Sequence, residues 1–156
     1  PSVAAAVSAV TNKDVAQEIK DTWPFLKKDM VANGISLMIK MFEKTPESLE
    51  FFKRMGDLSN PKANRKLRGH GSSLMYGIMA FVEQLDSPSD LTDVAGKFAF
   101  NHVNRNISSF EFQWALVPLL EVLRERLGRN RYRQETEEAW TKLVSVIQAT
   151  LDDRKR

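Results

Sequence analysis

The chain has 156 residues, of which 42% are hydrophobic and 28% are charged, and its formal net charge is +3. This length fits one domain that buries about two thirds of the surface of its unfolded form. There is no cysteine, which excludes disulfides, iron–sulfur clusters and thiolate zinc sites. We expect one domain over residues 1–151, in which residues 1–10 form an N-terminal extension, and a frayed charged tail over residues 152–156.

The hydrophobic segments are too short for targeting or membrane insertion. The apolar opening of the chain lacks the basic leader and the long hydrophobic stretch of a signal peptide. The apolar run from Trp114 to Leu120 ends at Glu121 and cannot span a bilayer. We therefore expect a soluble, cytoplasmic protein without a membrane partner.

Every periodic segment has helical spacing, which predicts an all-α fold. The first long helix begins after Asn12, and Pro24 bends it or marks its last turn; its inward residues are Val15, Ile19, Trp23 and Leu26. The second begins near Asp29 and contains Gly34, which allows another helix to cross closely; its inward residues are Val31, Ile35, Met38 and Phe42. A short helix then starts at Pro46, and a corner covers residues 53–60.

The next two helices each carry one of the two histidines of the chain on an apolar stripe. The first opens at Pro61, and its stripe is Leu67, His70, Leu74, Ile78, Phe81 and Leu85. The second follows a turn at residues 86–90, and its stripe is Leu91, Val94, Phe98 and His102. Bare backbone at Gly69, Gly71 and Gly77 suits either a flat ligand or a close helix crossing. Both histidines are expected to face inward.

Two helices complete the fold. Ser108 and Glu111 form a capping box, Pro118 kinks the helix that follows, and Gly128 ends it. The last helix has the most regular stripe, which consists of Ala139, Trp140, Leu143, Val144, Ile147 and Leu151. Between them lies a basic corner, which we define as Arg124, Arg126, Arg129, Arg131 and Arg133. Flanking glutamates and the lack of alternating aromatic residues favour a solvated corner over a nucleic-acid surface.

The histidine pair points to a cofactor. A single buried histidine is more often a hydrogen-bonded core residue than a ligand. Two of them on successive helices are costly unless a bound group accepts their nitrogens. Zinc needs about four ligands, and no acidic residue joins the stripes at metal-ligand spacing. A porphyrin supplies four nitrogens and leaves two axial positions, so the pair favours heme. The alternative is a heme-free helical interaction module with both histidines in its core.

Several ordered blocks have the residues and separations of a known family. They are FFKRMGD at 51–57, KLRGH at 66–70, LMY at 74–76 and KFAFNH at 97–102, together with Trp23, Thr45-Pro46 and Trp140. With these blocks the chain resembles the globins over nearly its whole length, and among them the hemoglobins of ark clams, which are bivalve molluscs. The resemblance implies a globin fold of about seven to eight helices around a heme b pocket.

The resemblance also implies roles for individual residues. It makes His102 the proximal iron ligand and His70 the distal hydrogen-bond donor to bound oxygen, with direct coordination by His70 as the alternative. Four apolar residues, which any helical bundle could place in its core, would surround the heme: Phe52, Met38, Leu74 and Phe98. Three polar residues would meet the heme propionates near a subunit interface: Arg54, Lys97 and Asn101.

The function implied by the resemblance is reversible oxygen binding for storage or transport, in erythrocyte-like cells or in tissue, with CO and NO as further ligands. We expect a homodimer, or a hetero-oligomer with related globin chains, formed through the two heme-flanking helices. The alternative is a hexacoordinate globin with nitric-oxide dioxygenase or nitrite-reductase activity. Because the sequence has no reductase domain and no flavin or nicotinamide motif, we predict a carrier rather than an enzyme.

Overall fold

The computed structural model describes residues 1–103 and 105–154, and this part of the chain contains α-helices and 3₁₀ helices but no strand. The all-α prediction is therefore confirmed. The α-helices are α1 Val3–Val10, α2 Lys13–Lys27, α3 Met30–Lys44, α4 Arg65–Glu83, α5 Pro88–Val103, α6 Ser109–Leu127 and α7 Gln134–Arg154. The 3₁₀ helices are Pro46–Met55 and Pro61–Ala63. None of the described helices is both long enough and apolar enough to cross a membrane.

A side chain caps the first turn of each of the helices α2, α3 and α4. The Asn12 side chain accepts hydrogen bonds from the first turn of α2, and the Asp29 carboxylate accepts one from the Ala32 amide at 3.2 Å. The Asn64 side chain accepts one from the Leu67 amide at 2.9 Å. Since these bonds satisfy amides that have no partner inside the helix, they fix the starts of α2, α3 and α4. The predicted starts of α2 and α3 are confirmed.

The helix that carries His70 starts later than predicted. Pro61 opens only a short 3₁₀ turn, and α4 begins at Arg65. The reason is Asn64, which has an extended backbone and donates from its amide group to the carbonyl oxygens of Met55 at 2.7 Å and Asp57 at 3.1 Å. Asn64 therefore ties the preceding corner to the first turn of α4.

The predicted short helix and the corner after it also need correction. The segment from Pro46 is a 3₁₀ helix that continues to Met55, with a kink at Phe52, whose φ is −122° and ψ is 15°. The corner begins at Gly56, where φ is +84°, and not at Lys53. Glycine adopts this left-handed conformation without the strain that a side chain would add.

The core lies between α1, α2, α5 and α6 on one side and α7 on the other, with α3 packed across α4 and α6. The inward stripe predicted for α7 is confirmed, because all six of its residues are buried. One predicted core residue is wrong: Val31 is 41% exposed, whereas Ile35, Met38 and Phe42 of the same stripe are buried. Residues 152–154 of the predicted tail continue α7 as helix, whereas residues 155–156 lie outside the described part.

Local contacts at both ends of α6 differ from the sequence expectation. Ser108 precedes α6, but its hydroxyl donates to the Glu111 carboxylate instead of capping a backbone amide. The basic corner is also not simply solvated. Arg131 and Arg133 each lie 3.0 Å from the buried carboxylate of Glu18 on α2. The corner thus joins the α6–α7 connection to α2.

Candidate functional site

Both histidines line a cavity of about 740 Å³ between α3, α4, α5, α6 and the 3₁₀ helix Pro46–Met55. This volume lies within the range of about 300–1,000 Å³ that is typical of cofactor and ligand sites. Four further predicted site residues belong to its wall: Met38, Phe52, Arg54 and Leu74. Residues from five separate elements therefore converge on one space.

The remaining three predicted residues line a second cavity of about 750 Å³ between α4 and α5: Lys97, Phe98 and Asn101. The two cavities share His70, Leu74, His102 and Arg105, so they adjoin at the histidine pair. The structure thus brings all of the predicted site residues into one continuous region.

The ring of His102 has a fixed orientation and a defined tautomer. Its Nδ1 lies 2.7 Å from the carbonyl oxygen of Phe98, which can only accept, so Nδ1 carries the hydrogen. The ring stacks on Phe98 with centroids 4.4 Å apart, and Phe112 approaches it edge-on at 5.1 Å. Burial lowers the pKa of His102, against the opposing effect of the Phe98 hydrogen bond. The neutral ring leaves Nε2 available as a metal ligand.

His70 has a different environment. Its ring nitrogens have no hydrogen-bond partner among the described residues. In that part of the chain every side-chain nitrogen or oxygen that is fully buried does have a partner, so the two ring nitrogens are not fully buried. The His70 nitrogens are therefore open to the cavity and not sealed in the core. Phe52 meets the ring edge-on at 5.1 Å. Burial lowers the pKa of His70, and repulsion from His102 in its protonated form and from Arg105 lowers it further.

The crossing of α3 and α4 positions the His70 side of the cavity. A Cβ atom at Gly34 would lie 2.3 Å from the carbonyl oxygen of Gly71, so the two backbones touch. His70 precedes Gly71, and Met38 lies one turn after Gly34, so both side chains reach the same wall. A Cβ atom at Gly77 would lie 3.1 Å from the Phe98 ring. Gly71 and Gly77 thus allow close packing against other parts of the protein, whereas a Cβ atom at Gly69 would have no neighbouring atom within 4 Å.

Several cavity residues were not identified from the sequence: Met41, Lys66, Arg105, Phe112 and Trp114. Met41 and Phe112 are apolar residues of α3 and α6, and apolar spacing does not distinguish a cavity wall from ordinary core. Arg105 follows α5 in a turn, where no local pattern indicates a site. With Arg54 and Lys66 it gives the cavity three cationic side chains.

The donor set fits a cofactor that brings most of its own ligands. Within the described residues, no group of three or more His, Cys, Asp or Glu side chains could hold a metal ion. A bare ion would therefore find too few protein ligands here, since zinc sites need three or four. A metal already held by a macrocycle needs only one or two axial nitrogens, which the two histidines can supply.

Comparison with known proteins agrees with this geometry. The sequence model of the family described as Globin matches residues 35–151. The chain is 42% identical over 151 residues to Globin-1 of Anadara inaequivalvis, a match that covers 97% of this chain and 100% of that protein. It is also 42% identical over 151 residues to Globin-2B of Anadara trapezia, with the same coverage. It is 41% identical over 150 residues to the Globin-2 A chain of Anadara inaequivalvis, with 96% and 99% coverage. The chain belongs to the globin family.

Proposed function

We propose that this chain binds heme b in the cavity and carries oxygen reversibly, for storage or transport in the cytoplasm. When bound, the heme iron supplies a site for reversible binding of a diatomic gas. Membership of the globin family supports heme-based oxygen binding in general. The observation that carries the residue assignment is the hydrogen bond of His102 Nδ1 to the Phe98 carbonyl oxygen, since it leaves Nε2 free.

His102 would be the proximal ligand. A neutral imidazole binds a metal through its unprotonated nitrogen, and an acceptor on the other nitrogen fixes both the tautomer and the ring plane. The Phe98 carbonyl oxygen provides this acceptor, and the Phe98 and Phe112 rings restrict rotation of the imidazole. The lowered pKa of His102 favours the neutral form that a metal ligand requires.

His70 would be the distal residue. Its nitrogens are open to the cavity, and its lowered pKa keeps the ring neutral, with one N–H to donate and one nitrogen that can accept. An N–H donated to a polarised gas ligand stabilises it by about 1.5–3 kcal/mol. The apolar side chains of Met38, Phe52 and Leu74 would exclude water around this bond.

The polar wall of the cavities suits the carboxylates of a porphyrin. Arg54, Lys66 and Arg105 line the first cavity, and Lys97 and Asn101 line the second. We propose that Arg54, Lys97 and Asn101 hold the propionates and that Arg105, which lines both cavities, contributes to the same site. Carboxylates are bound well by guanidinium and ammonium groups, and guanidinium can bind them in a bidentate manner.

We further propose that the chain pairs with a second copy or with a related globin chain through α4 and α5. These helices carry two strongly exposed aromatic residues, Tyr76 at 57% and Phe100 at 55%. Large exposed aromatic side chains are typical of protein interfaces. Relatives named as the A and B chains of Globin-2 and as a beta subunit of Globin-1 support assembly of chains of this kind.

The first experiment is the visible absorption spectrum of the purified, reduced, ligand-free protein. A single broad band in the middle of the visible range would show five-coordinate iron with an open position for oxygen, as the carrier proposal requires. Sharp split bands would show that His70 occupies the sixth position, and would favour nitric-oxide or nitrite chemistry instead. A protein that has no Soret band after expression with sufficient heme would contradict both functions.

A further inference from the structure

An apolar strip runs along the outer side of α6, and of its residues only Trp114 also lines the candidate heme cavity. Phe110 is 69% exposed and Val117 is 47% exposed, and Trp114 lies between them. Steps of four and three residues place all three side chains on one helical face. The Trp114 ring meets Phe110 edge-on at 5.7 Å and Phe51 at 6.2 Å. We call Phe110, Trp114 and Val117 the α6 strip. An exposed aromatic patch of this kind marks an interaction surface.

The two ends of the α6 strip carry opposite charges. At the N-terminal end, the Ser109 hydroxyl donates to the Asp152 carboxylate at 2.5 Å, so an exposed acidic group lies there. Arg124 lies on the same face, seven residues after Val117, and its side chain is exposed. Its guanidinium carbon lies 5.1 Å from the centre of the Tyr132 ring. Within residues 1–103 and 105–154, neither Asp152 nor Arg124 has an oppositely charged group within 4.0 Å.

We propose that the α6 strip binds the α6 strip of a second copy of this chain, with the two helices antiparallel about a two-fold axis. An axis near Ala115–Leu116 brings Trp114 of each copy against Val117 of the other. At about 1.5 Å per residue, Ser109 and Arg124 then lie at similar distances, roughly 10–13 Å, on either side of the axis. Asp152 of one copy therefore meets Arg124 of the other, and the symmetry forms this pair twice.

A second copy matches the surface better than an unrelated partner would. Glu121, which lies between Val117 and Arg124, is already paired with Lys44 at 2.6 Å, so Asp152 and Arg124 are the charges that an antiparallel copy complements. This contact is separate from the pairing through α4 and α5, since none of its residues belongs to those helices. It also borders the candidate heme site, because Trp114 forms part of the cavity wall.

A charge-swap experiment tests the antiparallel arrangement. The dissociation constant of the heme-loaded protein is measured by sedimentation velocity over a concentration series, for the wild type, Asp152→Arg, Arg124→Asp and the double variant. Each single change places like charges opposite each other at two symmetric positions and should raise the dissociation constant at least about tenfold, because like charges oppose association. The double variant restores opposite charges with the sign reversed and should recover most of the affinity. Neither residue lines either histidine cavity, so heme content serves as a control on folding.

A second pair of variants tests the apolar centre. Phe110→Ser with Val117→Ser should remove this association step, whereas Phe25→Ser with Val31→Ser should not. Phe25 and Val31 are each 41% exposed and lie outside α6. Because the chain has no cysteine, Val117→Cys also gives a single reactive site, and a short bismaleimide should link two copies through it. Unchanged sedimentation of both the serine and the single charge variants would overturn the proposal. So would failure of the double charge variant to recover affinity while both single variants lose it.

Discussion

Gly34 and Gly71 meet backbone to backbone where α3 crosses α4, because a Cβ atom at Gly34 would lie 2.3 Å from the Gly71 carbonyl oxygen. Gly34→Ala must therefore separate the two helices. We expect a loss of about 1–3 kcal/mol in the free energy of unfolding, which is the usual cost of overpacking. Gly69→Ala is the matched control, since it lies in α4 with nothing within 4 Å and should gain about 1 kcal/mol. Urea denaturation measures both, and equal effects would show that the crossing does not depend on Gly34.

Glu18 anchors the basic corner from a buried position on α2. Its carboxylate accepts hydrogen bonds from Arg131, Arg133 and Thr136. Glu18→Gln should cost about 1–3 kcal/mol, because the buried side chain loses its charge and one of the two oxygens that accept from these three donors. The exposed ion pair of Lys20 with Asp86 is the control, and Asp86→Asn should cost less than about 1 kcal/mol. Thermal or urea unfolding separates the two, and a loss at Glu18 no larger than that at Asp86 would contradict the anchoring role.

Replacement of His102 by Ala should remove the axial nitrogen and with it most of the heme affinity. We expect rapid heme transfer to an excess of a high-affinity acceptor protein and a Soret band much weaker than in the wild type. Added imidazole should restore part of the band, since it can occupy the space of the missing ring. Retention of heme with an unchanged spectrum would exclude His102 as the proximal ligand.

Replacement of His70 by Leu should affect oxygen much more than CO. Oxygen becomes more polarised on binding than CO does, so only oxygen depends strongly on an N–H donor. A loss of about 1.5–3 kcal/mol corresponds to a ten- to hundredfold faster dissociation of oxygen. Stopped-flow replacement of oxygen by CO gives this rate, and the rate of autoxidation should also rise. Comparable changes for both gases would argue for steric effects and against a hydrogen bond.

The stability of the heme-free protein should decrease as the pH falls through about 6.5, the ordinary pKa of histidine. Burial lowers the pKa of both His70 and His102 below the ordinary value of about 6.5. The unfolded chain therefore takes up protons first, and stability that is complete above pH 6.5 is lost as the pH falls toward the lower folded values. Urea denaturation at several pH values measures the slope, which should flatten in the His70→Leu variant.

Glu18 contributes in a separate, more acidic window. Burial opposes ionisation of its carboxyl, but hydrogen bonds from Arg131 and Thr136 and the nearby positive charges lower its pKa overall. Its contribution is therefore present above the ordinary carboxyl value of about 4.3 and is lost below it. In the His70→Leu variant this acid limb should remain, whereas in Glu18→Gln it should shrink.

Helix starts that depend on local contacts were predicted correctly from the sequence, whereas features that depend on distant residues were not. Asn12 and Asp29 start their helices as predicted, because a cap involves only residues two or three positions away. The predicted start of α4 was wrong, because the Asn64 side chain also donates hydrogen bonds to the carbonyl oxygens of Met55 and Asp57, across a corner that local rules do not describe. The basic corner was misjudged for the same reason, since its partner Glu18 lies more than a hundred residues earlier.

By itself the sequence determined the helical class, the inward direction of His70 and His102, and the resemblance to the globins. Periodicity and ordered motifs are local properties that survive without knowledge of the packing. Only the tertiary structure decided that Phe98 fixes the tautomer of His102, that Gly71 packs against Gly34 rather than against a ligand, and that Arg105 and Trp114 reach the cavity. These features require distances between residues that are far apart in the chain, and the crossing and order of the helices set those distances.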